Sequence, residues 1–113
     1  MTVIKMFKMK NLFRGFECSG HTGYGEFGKD VLCAAISGIT QSIVIGLEDV
    51  CKIDLELTRN DSKGYIKVLI PNNVDGAVIA KSQVLLETLY LSMQDLIEGY
   101  SKYISMEVIE DVY

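Results

Sequence analysis

Two stretches of this chain repeat apolar residues at three- and four-residue steps, and each follows a pair of short alternating segments. Residues 30–50, DVLCAAISGITQSIVIGLEDV, put Leu32, Ala35, Ile36, Ile39, Ile43 and Leu47 on one stripe, the spacing of a helix lying on a sheet. Asp30 is placed to cap it. The second stripe runs from about Gly76 to Tyr100, behind Pro71 and Asn72, with Val78, Leu85, Leu89, Met93, Leu96 and Tyr100 as core contacts. Before the first helix, TVIKMFKM and LFRGFECS read as a hairpin turning at Lys10 and Asn11. Before the second, KIDLELTRN and YIKVLI flank the turn NDSKG as another hairpin. The last stretch, ISMEVIEDVY, alternates enough for a fifth strand. The order ββαββαβ predicts an α+β fold: one mostly antiparallel sheet with two helices packed on one face.

At 113 residues, 49% hydrophobic and 23% charged, the chain is expected to form one domain over residues 1–113 with an ordinary core. In the second strand Phe16 and Cys18 share a face with Arg14, while Phe13, Gly15, Glu17 and Ser19 take the other. On the first helix Ala34, Gly38 and Ser42 form a line of small residues, which predicts a close approach by the second helix.

A net charge of −4 has the wrong sign for a protein that lives on phosphate backbones, so direct nucleic-acid binding is not expected. No apolar run is expected to reach the roughly 20 residues that cross a bilayer, so no membrane partner is expected. Three cysteines without CxxC spacing fit a reducing compartment, the cytoplasm, better than a disulfide framework.

The loop between the first hairpin and the first helix is dominated by glycine. Gly23 to Gly28 satisfies GxGxxG, and Gly23 to Lys29 satisfies the first seven places of a phosphate loop. The residue after Lys29 is Asp30 rather than a Ser or Thr, and its carboxylate opposes a triphosphate. Cys18, His21, Cys33 and Cys51 offer zinc-ligand types. However, Cys33 and Cys51 lie at opposite ends of one predicted helix, about 27 Å apart at 1.5 Å per residue. No metal and no cofactor are expected.

What remains is His21 at the end of the second strand and Cys33 in the first turn of the first helix. Unpaired amides and the positive dipole end at a helix N-terminus favour thiolate over thiol. An imidazole beside it completes what peptide hydrolysis needs: a nucleophile, a group that protonates the leaving amine, and backbone N–H groups around Lys29 to Cys33 for the oxyanion. Asp30 either orients His21 or only caps the helix. Ser37 lies one turn below Cys33 on the same face. A strand-end histidine and a small buried cysteine are also common without any catalytic role.

Gly20-His21, Gly28-x-Asp30-Val31-Leu32-Cys33-Ala34-Ala35 and Ser37, in this order and spacing, resemble the signature of the Prp family of ribosomal-processing cysteine proteases. The resemblance extends over the whole chain, including LLETLYLSMQDLIEGYSKYI, a long helix running into a Tyr-x-x-Tyr segment. It implies a cysteine endopeptidase that removes the N-terminal extension of large-subunit ribosomal protein twenty-seven in bacteria. In that reading Cys33 is the nucleophile and His21 its base and acid, with Asp30 and Ser37 as supporting positions. It also implies a homodimer. Thr22 stands where the family is expected to carry alanine, and Val31-Leu32 where it carries Ile-Val. Thr22, Gly23, Tyr24, Gly25, Glu26, Phe27 and Gly28 would form a substrate-gating loop, Tyr24 and Phe27 being its apolar pieces, unless these two pack immovably on the core. Acidic Glu107, Glu110 and Asp111 suit either a basic ribosomal partner or plain solvation. The alternative is a non-catalytic ribosome-assembly factor of the same fold.

Overall fold

The computed structural model describes residues 1–26 and 29–111. β1 (Thr2–Met9) and β2 (Leu12–Ser19) pair antiparallel. They turn through Lys10 and Asn11 at φ 51° and 67°, the positive values that a two-residue hairpin turn requires to match strand twist. Met6 lies opposite Phe16 and Phe7 opposite Gly15, but Lys8 lies opposite Phe13. Arg14 is therefore the extra residue of a β-bulge.

The bulge corrects the expected facing of β2. It resets the alternation, so Phe13 joins Phe16 and Cys18 in the core rather than taking the opposite face. The pairing of β2 with β4 covers only Gly15 to Cys18, and beyond it Gln83 supplies partners for the Phe13 backbone. The Gln83 Oε1 accepts from the Phe13 N–H at 2.8 Å and its Nε2 donates to the Phe13 carbonyl at 2.9 Å. The Arg14 guanidinium donates to the carbonyls of Ile70 and Pro71 at 3.3 and 3.0 Å.

α1 (Val31–Ile45) passes into one wider turn over Gly46–Val50. β3 (Glu56–Asn60) and β4 (Tyr65–Leu69) form the second hairpin, joined by a short 3₁₀ turn and Gly64 at φ 61°. β3 is shorter than the pattern KIDLELTRN suggests. Ile53 is buried in the core cluster before the strand begins, and every residue of β3 is exposed. α2 (Gly76–Tyr100) is capped by Asp75, whose side chain accepts from the Ala77 N–H at 3.2 Å. β5 (Ile104–Glu110) runs parallel to β1, while the other three strand pairings are antiparallel. The sheet order is β3-β4-β2-β1-β5, which confirms the α+β reading and the mostly antiparallel sheet.

One core cluster unites Ile4, Met6, Phe16 and Val68 of the sheet with Leu32, Ile36, Ile43 and Leu47 from the first helical segment and Leu86, Leu89 and Met93 of α2. The line Ala34, Gly38, Ser42 does not meet α2: all three residues are exposed, and a Cβ on Gly38 would touch nothing within 4 Å. The close approach falls at Gly46 instead, where a Cβ would stand 2.8 Å from Leu85 Cδ1. Smallness along α1 announces space, and the crossing of the helices decides where that space is used. The expectation about apolar length also needs correcting. Val31–Val50 forms 20 helical residues of mean hydropathy 1.7, long and apolar enough to cross a membrane by those measures alone. Here Leu32, Ile36, Ile43, Val44 and Leu47 are spent on the core.

Candidate active site

The N-terminus of α1 is held by a carboxylate that also grips the preceding loop. Asp30 Oδ1 accepts from the N–H groups of Leu32 and Cys33, both at 2.9 Å. Its Oδ2 accepts from Thr22 Oγ1 at 2.5 Å and from the Gly25 N–H at 3.1 Å. Burial works against the charge, but the hydrogen bonds from the Thr22 hydroxyl and from the backbones of Cys33 and Gly25 outweigh it, holding the carboxyl well below the usual carboxylate range. These contacts are those of a cap and a loop anchor, and none of the four reaches His21.

Thr22, 2% exposed, connects this anchor to the sulfur. Its N–H donates to Cys33 Sγ at 3.3 Å, and its Oγ1 lies 3.5 Å from the same sulfur. Cys33 is half-buried, with one side packed against the loop and the other open. Of the backbone N–H groups expected to serve an oxyanion, Leu32 and Cys33 are engaged by Asp30 and Lys29 by the Glu26 carbonyl at 2.9 Å. Those of Asp30 and Val31 are the remaining candidates.

His21 follows β2, and its Nε2 lies 3.1 Å from the Ser62 carbonyl in the β3–β4 turn. A carbonyl only accepts, so this nitrogen carries the proton. The turn fits the ring closely. Gly64 has φ 61°, and a Cβ there would come within 3.0 Å of His21 Cε1, so both the backbone and the space require glycine. Among the described residues no hydrogen bond joins His21 to Cys33. Both side chains nevertheless line one cleft of about 640 Å³, together with Asp30, Ser37, Gly23 and Gly25.

Ser37 is exposed on the cleft wall, and its carbonyl accepts from Thr40 Oγ1 at 3.2 Å. In the loop, Gly23 has φ 75°, and Glu26 is exposed. Tyr24 packs edge-on against Tyr100 and Tyr103, with centroids 5.6 and 5.2 Å away. The Tyr-x-x-Tyr segment is thus the seat of the loop's aromatic residue, and Tyr100 serves there rather than in the core. Phe27 and Gly28 lie outside the described residues. Sequence reasoning missed Ser62, Gly64, Gln41 and Arg59, the last three of which also line the cleft; no local pattern marks them.

Two predictions arise here. Cys18 and Cys51 are buried, and burial, followed by the charge of Glu17, pushes the Cys18 thiol up to about 12. Limiting iodoacetamide on the native protein is expected to modify Cys33 at least roughly tenfold faster than either, as read by peptide mass mapping. Asp30→Ala is expected to lower stability by about 2 kcal/mol, from the lost cap and the other hydrogen bonds to a charged acceptor. Because the folded carboxyl titrates below its unfolded value, this contribution is present above pH ~4 and is lost as the pH falls below that. The gap in urea-unfolding stability between the wild type and Asp30→Asn should therefore be constant above about pH 5 and narrow steadily as the pH falls from about 4 toward 2; a gap independent of pH would contradict the assignment.

Residues 1–105 match a family model described as Cysteine protease Prp. The ribosomal processing cysteine protease Prp of Bacillus subtilis is 25% identical over 85 residues, covering 75% of this chain and 76% of that protein. The Prp of Staphylococcus aureus strain Mu50 is 28% identical over 90 residues, covering 77% and 78%. Among solved structures, S. aureus Prp in complex with a covalently linked product peptide superposes with a TM-score of 0.85 at 19% identity, covering 96% of this chain and 100% of that one. A Streptococcus mutans protein superposes with a TM-score of 0.82 at 23% identity, covering 98% and 96%. These structural likenesses show a shared fold.

Proposed function

We propose catalytic roles for two cleft residues of this chain, which belongs to the cysteine protease Prp family: Cys33 is the nucleophile and His21 its general base and acid. The bond cut is the one joining the N-terminal extension to bacterial large-subunit ribosomal protein twenty-seven. The observation that carries this reading is that the first-turn cysteine and the strand-end histidine open onto one cleft, with the sulfur fixed by Thr22. The product peptide covalently linked in S. aureus Prp supports a peptide substrate for this chain as well.

In the first step His21 takes the Cys33 proton and the sulfur adds to the scissile carbonyl. The negative charge that develops on the carbonyl oxygen meets N–H groups at the start of α1, those of Asp30 and Val31 being the ones its cap does not use. His21, now an imidazolium, gives its proton to the departing amine, leaving an acyl group on the sulfur. Water, deprotonated by His21, releases the extension and restores the thiol. The cytoplasm as the site of action and a homodimer as the working unit belong to the same reading.

Incubating the protein with the extended ribosomal protein and measuring intact masses tests it. A ribosomal protein shortened by the mass of its extension is the expected product. An unchanged mass, with complex formation intact, would establish a binding or assembly role instead.

A further inference from the structure

Thr22 meets the Cys33 sulfur at two points. Its N–H donates to Sγ at 3.3 Å, and its Oγ1 lies 3.5 Å from the same atom. Which atom carries the proton in the second contact follows from the other partners of the hydroxyl. Oγ1 stands 2.5 Å from Asp30 Oδ2. The Asp30 carboxyl, held well below the usual range, is ionised and can only accept. The single hydroxyl proton therefore lies between Thr22 and Asp30. The Tyr24 N–H donates to Oγ1 at 3.3 Å and takes one of its two lone pairs. What the hydroxyl turns toward the sulfur is the remaining lone pair, and only an S–H can satisfy it.

The carboxylate strengthens this arrangement. By drawing the hydroxyl proton to itself it leaves the oxygen richer in charge, so a hydrogen bond accepted on the other side gains. A thiolate would set its own lone pair against that oxygen. Asp30 also faces the thiol directly, a hydrogen bond from the Cys33 side chain being one of the causes that lower its carboxyl. The other titratable groups lining the cleft are Cys18 of β2, His21 after it, and Arg59, Asp61 and Tyr65 of the β3–β4 hairpin. Glu26 and Lys29 are exposed on the loop itself. None of these is altered by a change confined to the Thr22 hydroxyl. Resting on the reading of Cys33 as nucleophile, we infer that Thr22, aimed by Asp30, is a positioning residue that holds the resting Cys33 as a neutral thiol. Hydrogen bonding to the neutral form of an acid disfavours its charged form. When His21 takes the S–H proton, the bond to Oγ1 breaks and the Thr22 N–H stays on the sulfur, now an anion.

The test is the pH dependence of iodoacetamide alkylation at Cys33, read by peptide mass mapping, with a thermal melt to confirm that each variant is folded. Thr22→Val keeps the side-chain volume and the backbone N–H and removes the hydroxyl. It should move the midpoint of the alkylation profile down by about half to one pH unit, the worth of one neutral hydrogen bond. Thr22→Ala lacks the same oxygen and should move the midpoint the same way, whereas Thr22→Ser should keep the wild-type value. In an Asp30→Asn background, where no carboxylate fixes the hydroxyl proton, Thr22→Val should produce a smaller shift. An unchanged or raised midpoint in either Thr22→Val or Thr22→Ala would overturn the inference. So would a Thr22→Ser protein that follows Thr22→Val, or an equal Thr22→Val shift in the two backgrounds. A lowered midpoint in a protein whose wild type leaves the extended ribosomal protein uncut would sustain the hold on the thiol while removing the nucleophile's role, so the two readings fail separately.

Discussion

Cys33→Ala is expected to lower cleavage of the extended ribosomal protein by at least about 10³-fold, because the proposed acyl intermediate forms on its sulfur. Cys18 is the next sulfur lining the cleft, but it is 4% exposed and its thiol is pushed up to about 12. Folding should survive. The sulfur is half-buried and accepts one long N–H bond from Thr22, whose loss costs on the order of 1 kcal/mol or less. Initial rates and a thermal melt on the same preparation separate the two effects. Turnover within tenfold of wild type would remove Cys33 from the nucleophile's role, whereas a collapsed melt would assign it a structural one.

His21→Ala should cost roughly 10²–10⁴-fold, the contribution of a positioned acid and base. Its Nε2 rests against the carbonyl of exposed Ser62, which water can satisfy once the ring is gone. The Ala side chain leaves a space at the rim, and added imidazole should restore part of the rate by entering it. A His21→Ala protein that cleaves within a factor of two of wild type, or one that imidazole does not help, would argue that the ring only braces the β3–β4 turn. Gly64 bears on the interpretation. Because a Cβ there would press on both the Gly20 carbonyl oxygen and His21 Cε1, bulk at position 64 should disturb the strand end that carries the ring as well as the ring itself.

The hairpins and helices were legible because their signals are local. Alternation over eight residues marks β1 and β2, and an aspartate before an apolar stripe marks the start of α1. The misreadings came where a distant element sets the outcome. Phe13 sits on the unexpected face because of the bulge at Arg14, and Gln83, seventy residues on, holds its backbone. The small residues of α1 face solvent because α2 crosses at Gly46. Within the site, the types and spacing of His21, Asp30 and Cys33 could be read directly from the chain. The engagement of Asp30 with Thr22 and Gly25 could not, because it depends on how the glycine-rich loop folds back. Nor could the seating of Tyr24 on Tyr100 and Tyr103, which the parallel return of β5 beside β1 brings to the same end of the sheet.

The tight crossing at Gly46 bears on that chemistry from afar. The rod that carries Cys33 is pinned at its front by a carboxylate and wedged at its rear by a leucine from α2. So restrained, it has little liberty to roll about its long axis. A side chain introduced at the rear, about 20 Å from the sulfur at the helical rise, would press on the end of the Leu85 side chain and oblige it to take another rotamer. The seat of the helix that carries Cys33 thus includes a bare backbone position thirteen residues away, where the second helix comes closest.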